Sequence, residues 1–229
     1  MPKLTYHGHS CFELEANDGQ VLLIDPFLTG NPLADIGPDD VKRADYILFT
    51  HGHGDHIGDG FEIAKRTGAM VISTFEIITF AQQVKGIENA HPLHIGGGYN
   101  FPVGRIKMTP ALHGGAVEGD ESGQYTTVPG GFLITLDGVT VYHAGDTALI
   151  TDMQLLNGRV DVACLPIGDN FTMGPDDAVR AVEMIEPKTV IPMHFNTFDV
   201  IEQDPQAFAK QVGSRAKVVV LEPGQSHSF

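Results

Sequence analysis

At 229 residues the chain can form one large domain or two small ones, and 42% apolar content with 27 glycines describes a globular fold rich in tight turns. A formal charge of −15 repels phosphate backbones, so nucleic acid is not an expected partner. No window reaches the roughly 18 apolar residues of a membrane span, and Met1 to Tyr6 lacks the apolar stretch of a secretory signal, so the expectation is a cytoplasmic protein away from membranes. Cys11 and Cys164 lie far apart inside apolar runs, which fits core thiols in a reducing compartment.

In chain order, residues 3–7, 10–15 and 20–25 read as short strands, with Asn17-Asp18-Gly19 as the turn between the last two. A loop rich in Pro, Gly and Asp leads to a buried-type strand over 44–50. Residues 59–67, stopped by Gly68, and 75–85, stopped by Gly86, read as amphipathic helices around a strand at 69–73. Short strands and turns follow, the last of them a strand over 105–112. The polar segment 114–130 has no periodicity and carries Glu118, Asp120 and Glu121, the profile of a lid or mobile loop. Residues 132–136 and 139–143 form a hairpin about Asp137-Gly138. A strand over 160–167 precedes a helix opened by Pro175 and ending near Glu186-Pro187. A strand over 189–193, a helix capped by Asp204-Pro205 and a strand over 217–221 close the chain. Each half runs through several strands and then alternates strand with helix. The reading is one domain, 1–229, of two similar halves in the α/β class.

The chemistry concentrates where apolar strands stop. Behind Tyr46-Ile47-Leu48-Phe49 comes Thr50-His51-Gly52-His53-Gly54-Asp55-His56, three imidazoles and a carboxylate with glycine spacers that let the backbone turn tightly. Imidazole and carboxylate suit zinc and its first-row neighbours. His113, Asp146 and His194 each follow another apolar strand in the same way. Donors on strand ends can meet at one edge of packed sheets. Sorted by position, His51, His53 and His113 would hold one dication, and Asp55, His56 and His194 a second, with Asp146 between them. Such a pair lowers the pKa of a shared water and yields a hydroxide nucleophile at neutral pH.

The H-x-H-x-D-H run, the later lone histidine, Gly145-Asp146-Thr147 and the C-terminal His194 resemble the metallo-β-lactamase superfamily. The resemblance implies a four-layer αββα sandwich with a dinuclear site at the sheet edge. Gly8-His9-Ser10, Tyr142 to Thr147 and Pro192-Met193-His194-Phe195-Asn196 narrow it to UPF0173-type metal-dependent hydrolases, which are similar to the ascorbate-6-phosphate lactonase group. The seven donor positions are each filled by the residue type the family expects. Exported β-lactamases usually lack an aspartate at the position of Asp146, and the acidic segment 114–130 argues against the nuclease branches. A compact stand-alone hydrolase is the expectation.

Within that frame His9 is a candidate to line the pocket and hold a substrate or transition-state oxygen. Asp25 is a candidate partner for the outer ring nitrogen of a ligand imidazole. Asp55 has a second candidate role as proton donor to the leaving group. His7 reads as structural and His143 as a core histidine, because strand alternation turns it away from Asp146. His91, His94 and His227 read as surface residues. Asp169, Asn170 and Thr172 read equally as pocket border or plain loop. The function expected is dinuclear metal-dependent hydrolysis of a lactone, ester or phosphodiester of a small metabolite, with two divalent ions, zinc first and manganese, iron or nickel as alternatives. The competing reading is a non-hydrolytic redox di-metal centre or metabolite sensor. A homo-oligomer fits the general frequency of symmetric assemblies.

Overall fold

The computed structural model describes residues 1–229 and contains two seven-stranded mixed sheets. Strands β1 (Lys3–Tyr6), β2 (Phe12–Glu15) and β3 (Val21–Ile24) form an antiparallel meander. Beyond β3 the sheet continues in parallel through β4 (Tyr46–Leu48), β5 (Met70–Thr74) and β6 (Ala90–Leu93). Helices α1 (Gly54–Ile57) and α2 (Gly60–Thr67) join β4 to β5, and α3 (Phe75–Gln83) joins β5 to β6.

The second sheet repeats the plan. Strands β7 (Gly98–Phe101), β8 (Gly104–Pro110), β9 (Gly130–Leu136) and β10 (Val139–His143) are antiparallel. Strands β11 (Val162–Pro166), β12 (Thr189–Met193) and β13 (Lys217–Val218) extend it in parallel. Helix α4 (Pro175–Ile185) lies between β11 and β12, and α5 (Pro205–Val212) between β12 and β13. A last strand, β14 (Ser226–Ser228), returns to the first sheet and pairs with β1. The αββα sandwich of two similar halves is therefore present as the sequence implied.

Side-chain parity explains the layering. In β4, Ile47 turns toward Phe61, Ile77 and Phe80 of α2 and α3, while Tyr46 and Leu48 turn toward the core shared with the other sheet. A strand buried on both faces reads as a continuous apolar run, as this one does. Leu14, Leu22 and Ile24 join the same core as Ile106, Ile134 and Val141 of the second sheet, and Ala181, Ile185, Phe208 and Val212 bring in α4 and α5. Each such fully buried large side chain contributes about 1.5–3 kcal/mol.

Several boundaries differ from the sequence reading. The strand read over 105–112 ends at Pro110, because Leu112 N–H leaves the ladder to donate to Thr147 Oγ1 (3.1 Å). The strand read over 217–221 stops at Val218, close before Pro223. The turn of α1 and the edge strand β14 were not expected, since four residues opened by glycine and three polar edge residues carry no periodicity. His91 and His227 are half-buried rather than on the surface; His91 sits against Tyr99 and Phe101. The segment 114–130 is anchored: Glu118 N–H donates to Gly52 O (2.7 Å), and Ala116 bridges Thr126. The C-terminal ends of β3, β4, β8, β10 and β12 meet at one edge, stitched across the sheets by Gly130 N–H to Thr50 O (3.1 Å) and His194 N–H to His9 O (2.8 Å).

Candidate metal centre

All seven expected donors gather at that edge. His51 Nε2 and His53 Nδ1 lie 3.0 Å apart, and His113 Nε2 is 3.2 Å from His53 Nδ1. Asp146 Oδ2 is 3.5 Å from His113 Nε2 of this group, and on the other side of the carboxylate His56 Nε2 is 3.2 Å from Oδ1 and His194 Nε2 is 3.0 Å from Oδ2. Asp55 stands with His56, His194 and His9 in a third cluster of ligand-type atoms. Thus Asp146 faces both histidine groups.

The outer ring nitrogens of His51 and His56 explain why the lone pairs of these two rings face inward. His56 Nδ1–H donates to Asp25 Oδ2 (2.8 Å). Thr50 donates its hydroxyl to the same oxygen (2.6 Å) and its N–H to Oδ1 (2.8 Å), so its hydroxyl oxygen accepts from His51 Nδ1 (3.0 Å). One buried carboxylate therefore orients two imidazoles on different sides of the cluster. With the protons of His51 and His56 outside, the inner Nε2 atoms present lone pairs toward a carboxylate. The inner atoms His56 Nε2, His194 Nε2 and Asp146 Oδ1 are buried and have no hydrogen-bond partner. Lone pairs converging in this way are stabilised by a cation, so the donor set fits divalent metal.

The backbone is adapted to the site. His9 (φ 56°), Asp25 (φ 46°) and His194 (φ 54°) all occupy the left-handed region, uncommon for non-glycine residues and concentrated at functional sites. At Gly52, a Cβ would stand 2.3 Å from Ala116 O and 2.8 Å from Val117 Cα. Gly52→Ala must therefore displace either the His51–His53 turn or the 116–117 backbone. It is expected to cost about 1–3 kcal/mol and to weaken metal uptake, as read by thermal unfolding and metal titration; wild-type behaviour in both would contradict the contact.

The residues just described fall inside a family match: the profile of the beta-lactamase superfamily domain covers residues 3–194. The chain belongs to the beta-lactamase superfamily. It is 53% identical over 228 residues to a UPF0173 metal-dependent hydrolase of Bacillus cereus (strain B4264), covering 98% of each chain. A UPF0173 metal-dependent hydrolase of Bacillus anthracis (strain A0248) is 51% identical over the same 98% of each. Among solved structures, Igni18, described as a novel metallo hydrolase from the hyperthermophilic archaeon Ignicoccus hospitalis, is 40% identical, with a TM-score of 0.89 over 100% of this chain and 99% of that one. The protein is thus a metal-dependent hydrolase of this superfamily. No helix is long and apolar enough to cross a membrane.

Charge in the hydrolase's site is set by burial and by neighbours. Burial opposes charge on Asp146, but His194 and His56 outweigh it and hold the carboxyl well below the usual range. Burial also opposes charging His56, yet in the metal-free chain Asp146 and Asp25, one on each ring nitrogen, raise its pKa well above ordinary, so a bound cation would take the place of the proton on Nε2. His51 is pushed well below by burial and by His56, and His113 is lowered chiefly by burial. Asp55 lies below the usual range because the neighbouring His9 and His56 rings offset its burial.

Other expectations resolve individually. His143 is a core histidine: its Nε2–H donates to Ser10 O (3.0 Å) and its Nδ1 accepts from Gly145 N–H (3.2 Å). His7 pairs with Asp35 (2.8 Å), away from the donors. Met173 N–H donates to Thr147 O (2.9 Å), which ties the turn containing Asp169, Asn170 and Thr172 to the loop of Asp146. His94 is exposed, and both cysteines are buried and free. Sequence reasoning missed Thr50 and Thr197. Thr50 adjoins His51 and could have been suspected, but nothing marks Thr197.

Burial lowers the pKa of His143. Below about pH 6.5 the unfolded chain binds a proton there that the folded chain refuses, so this group's stabilisation is full above that pH and declines as pH falls. The raised pKa of His56 acts in the opposite sense, contributing stability at low pH that is lost as pH rises through it. The comparison with His143→Gln isolates the first effect. In metal-free protein the unfolding free energy of wild type minus variant is expected to grow between about pH 5 and 7; a pH-independent difference would contradict it.

Proposed function

We propose that the protein is a dinuclear hydrolase acting on a lactone, ester or phosphodiester of a small metabolite. The observation that carries this is Asp146, whose carboxylate lies between the two histidine groups, within 3.5 Å of His113 in one and within 3.2 Å of His56 and His194 in the other. His51, His53 and His113 would hold one dication; Asp55, His56 and His194 the other; Asp146 would serve both. Zinc fits this imidazole and carboxylate set first, with manganese, iron or nickel as alternatives. Bound there, two dications supply Lewis acidity to a carbonyl or phosphoryl oxygen and bring the pKa of water toward neutrality.

The chain's own residues supply orientation and proton movement. Asp25 and Thr50 keep the protons of His56 and His51 on Nδ1, so both Nε2 atoms stay available as donors. The side chain of Asp55 is 29% exposed, the most accessible carboxylate of the donor set. It can accept a proton from the nucleophilic water at Oδ2 and return it to the leaving oxygen. The charged partners of the donor residues are imidazoles and carboxylates. Leu112, beside His113, and Phe198, whose ring is 5.6 Å from that of His9, are exposed apolar groups at the rim. That lining favours a substrate with apolar parts and little charge over a phosphomonoester.

The test is turnover by chelated and metal-reloaded protein on panels of lactones, esters and phosphodiesters. Metal-restored hydrolysis in one panel supports the reading. A redox-active iron form with no turnover in any panel would favour the non-hydrolytic alternative.

A further inference from the structure

We propose that His9 is an additional nitrogen donor to the metal position of Asp55, His56 and His194, and that Thr197 is the positioning residue that puts it in that role; this rests on the two-metal reading above. His9 is fully buried in the turn between β1 and β2. Its ring centroid lies 4.0 Å from that of His194 and 5.6 Å from that of His56. With Asp55, these residues bring four ligand-type atoms within 4.8 Å of one another.

The orientation of the ring carries the argument. His9 Nε2 is 3.3 Å from Asp55 Oδ2, yet off the hydrogen-bond line, and this buried nitrogen has no hydrogen-bond partner. A proton on it would have only a poorly aligned carboxylate oxygen to bond, whereas a lone pair there faces the other ligand-type atoms of the cluster. The opposite nitrogen is well served: Nδ1 is 2.8 Å from Thr197 Oγ1, and the Thr197 hydroxyl has Phe195 O as its own acceptor at 3.5 Å. The Thr197 oxygen then accepts the proton of Nδ1, and the lone pair of Nε2 faces inward. Thr50 does the same for His51, passing its hydroxyl proton to Asp25 while accepting from Nδ1. Metal-bound histidines are held in this way by an acceptor on the outer ring nitrogen.

The turn is built to hold this pose. The carbonyl of His9 accepts from His194 N–H (2.8 Å) and from the Tyr6 hydroxyl (3.2 Å), which fixes its backbone against that of His194. The two metal positions then differ in character. One is offered His51, His53, His113 and Asp146. The other is offered His9, His56, His194, Asp55 and Asp146, a set with one more donor that suits an ion preferring more than four ligands.

The test uses full-length protein freed of metal and titrated with cobalt(II) alone, followed by calorimetry and visible absorption. His9→Asn retains a residue that tolerates the left-handed backbone, Thr197→Val replaces the hydroxyl with a methyl of similar size, and Thr197→Ser keeps the hydroxyl. Wild type is expected to take two ions. His9→Asn and Thr197→Val should weaken the second ion roughly 10–100-fold and alter its absorption, leaving the first unchanged, while Thr197→Ser returns both readouts to wild type. Two ions bound by His9→Asn or Thr197→Val with wild-type affinity and spectrum would overturn the role of His9 and leave the two-metal reading standing. A single ion in wild type would overturn both.

Discussion

Asp146→Ala is expected to lower metal-dependent kcat/KM by more than about 100-fold and to impair binding at both metal positions. Removing a residue that only orients a ligand costs roughly 10–100-fold, so removing a donor shared by two positions should exceed that range. In wild type, Oδ1 faces His56 and Oδ2 faces His194 and His113, and the carboxyl is held ionised by His194 and His56. Without it, the raised pKa of His56 loses its largest supporting charge. The surrounding loop keeps its anchors, because Thr147 accepts from Leu112 N–H and from Met173 N–H through its own side chain and carbonyl. Circular dichroism should therefore match wild type while metal content per chain falls. A variant with normal metal content and normal turnover would contradict a bridging place for Asp146.

Asp25→Asn is expected to have the second large effect, on stability and metal affinity together. The carboxylate is fully buried and accepts from Thr50 N–H, the Thr50 hydroxyl and His56 Nδ1–H. Asparagine tolerates the left-handed backbone of this position, but its amide replaces one acceptor oxygen with a donor. Breaking one side of a buried charged pair typically costs about 3–5 kcal/mol. Because Asp25 orients His56 directly and His51 through Thr50, affinity should drop roughly 10–100-fold at both positions. Denaturant unfolding of metal-free protein and metal titration measure the two effects separately. A loss of less than about 1 kcal/mol with unchanged affinity would mean that the network does not orient the ligands.

Much of this architecture was legible because apolar runs end abruptly in chemistry. Tyr46 to Phe49 before His51, and Val190 to Met193 before His194, announce both a buried strand and a donor held at its tip. Strand alternation was enough to place His143 in the core. The unread part depends on partners distant in sequence. Thr197 meets His9 across the interface between the sheets, and no local pattern joins them. That His53 turns Nδ1 toward His51 and His113 is a rotamer choice set by packing. Gly52 looked like a flexible spacer, yet the backbone of residues 116–117 makes its missing side chain a steric need. That contact also explains why the polar segment 114–130 is anchored despite its loop-like composition.

The proposed function stands on a two-metal centre divided by Asp146. The most direct measurement is a crystal structure of metal-loaded protein with anomalous scattering data collected at the edge of the bound ion. Two anomalous peaks are expected, one among His51, His53 and His113, the other among Asp55, His56 and His194, with the Asp146 carboxylate between them. A single peak at full loading, or a second peak remote from Asp146, would contradict it.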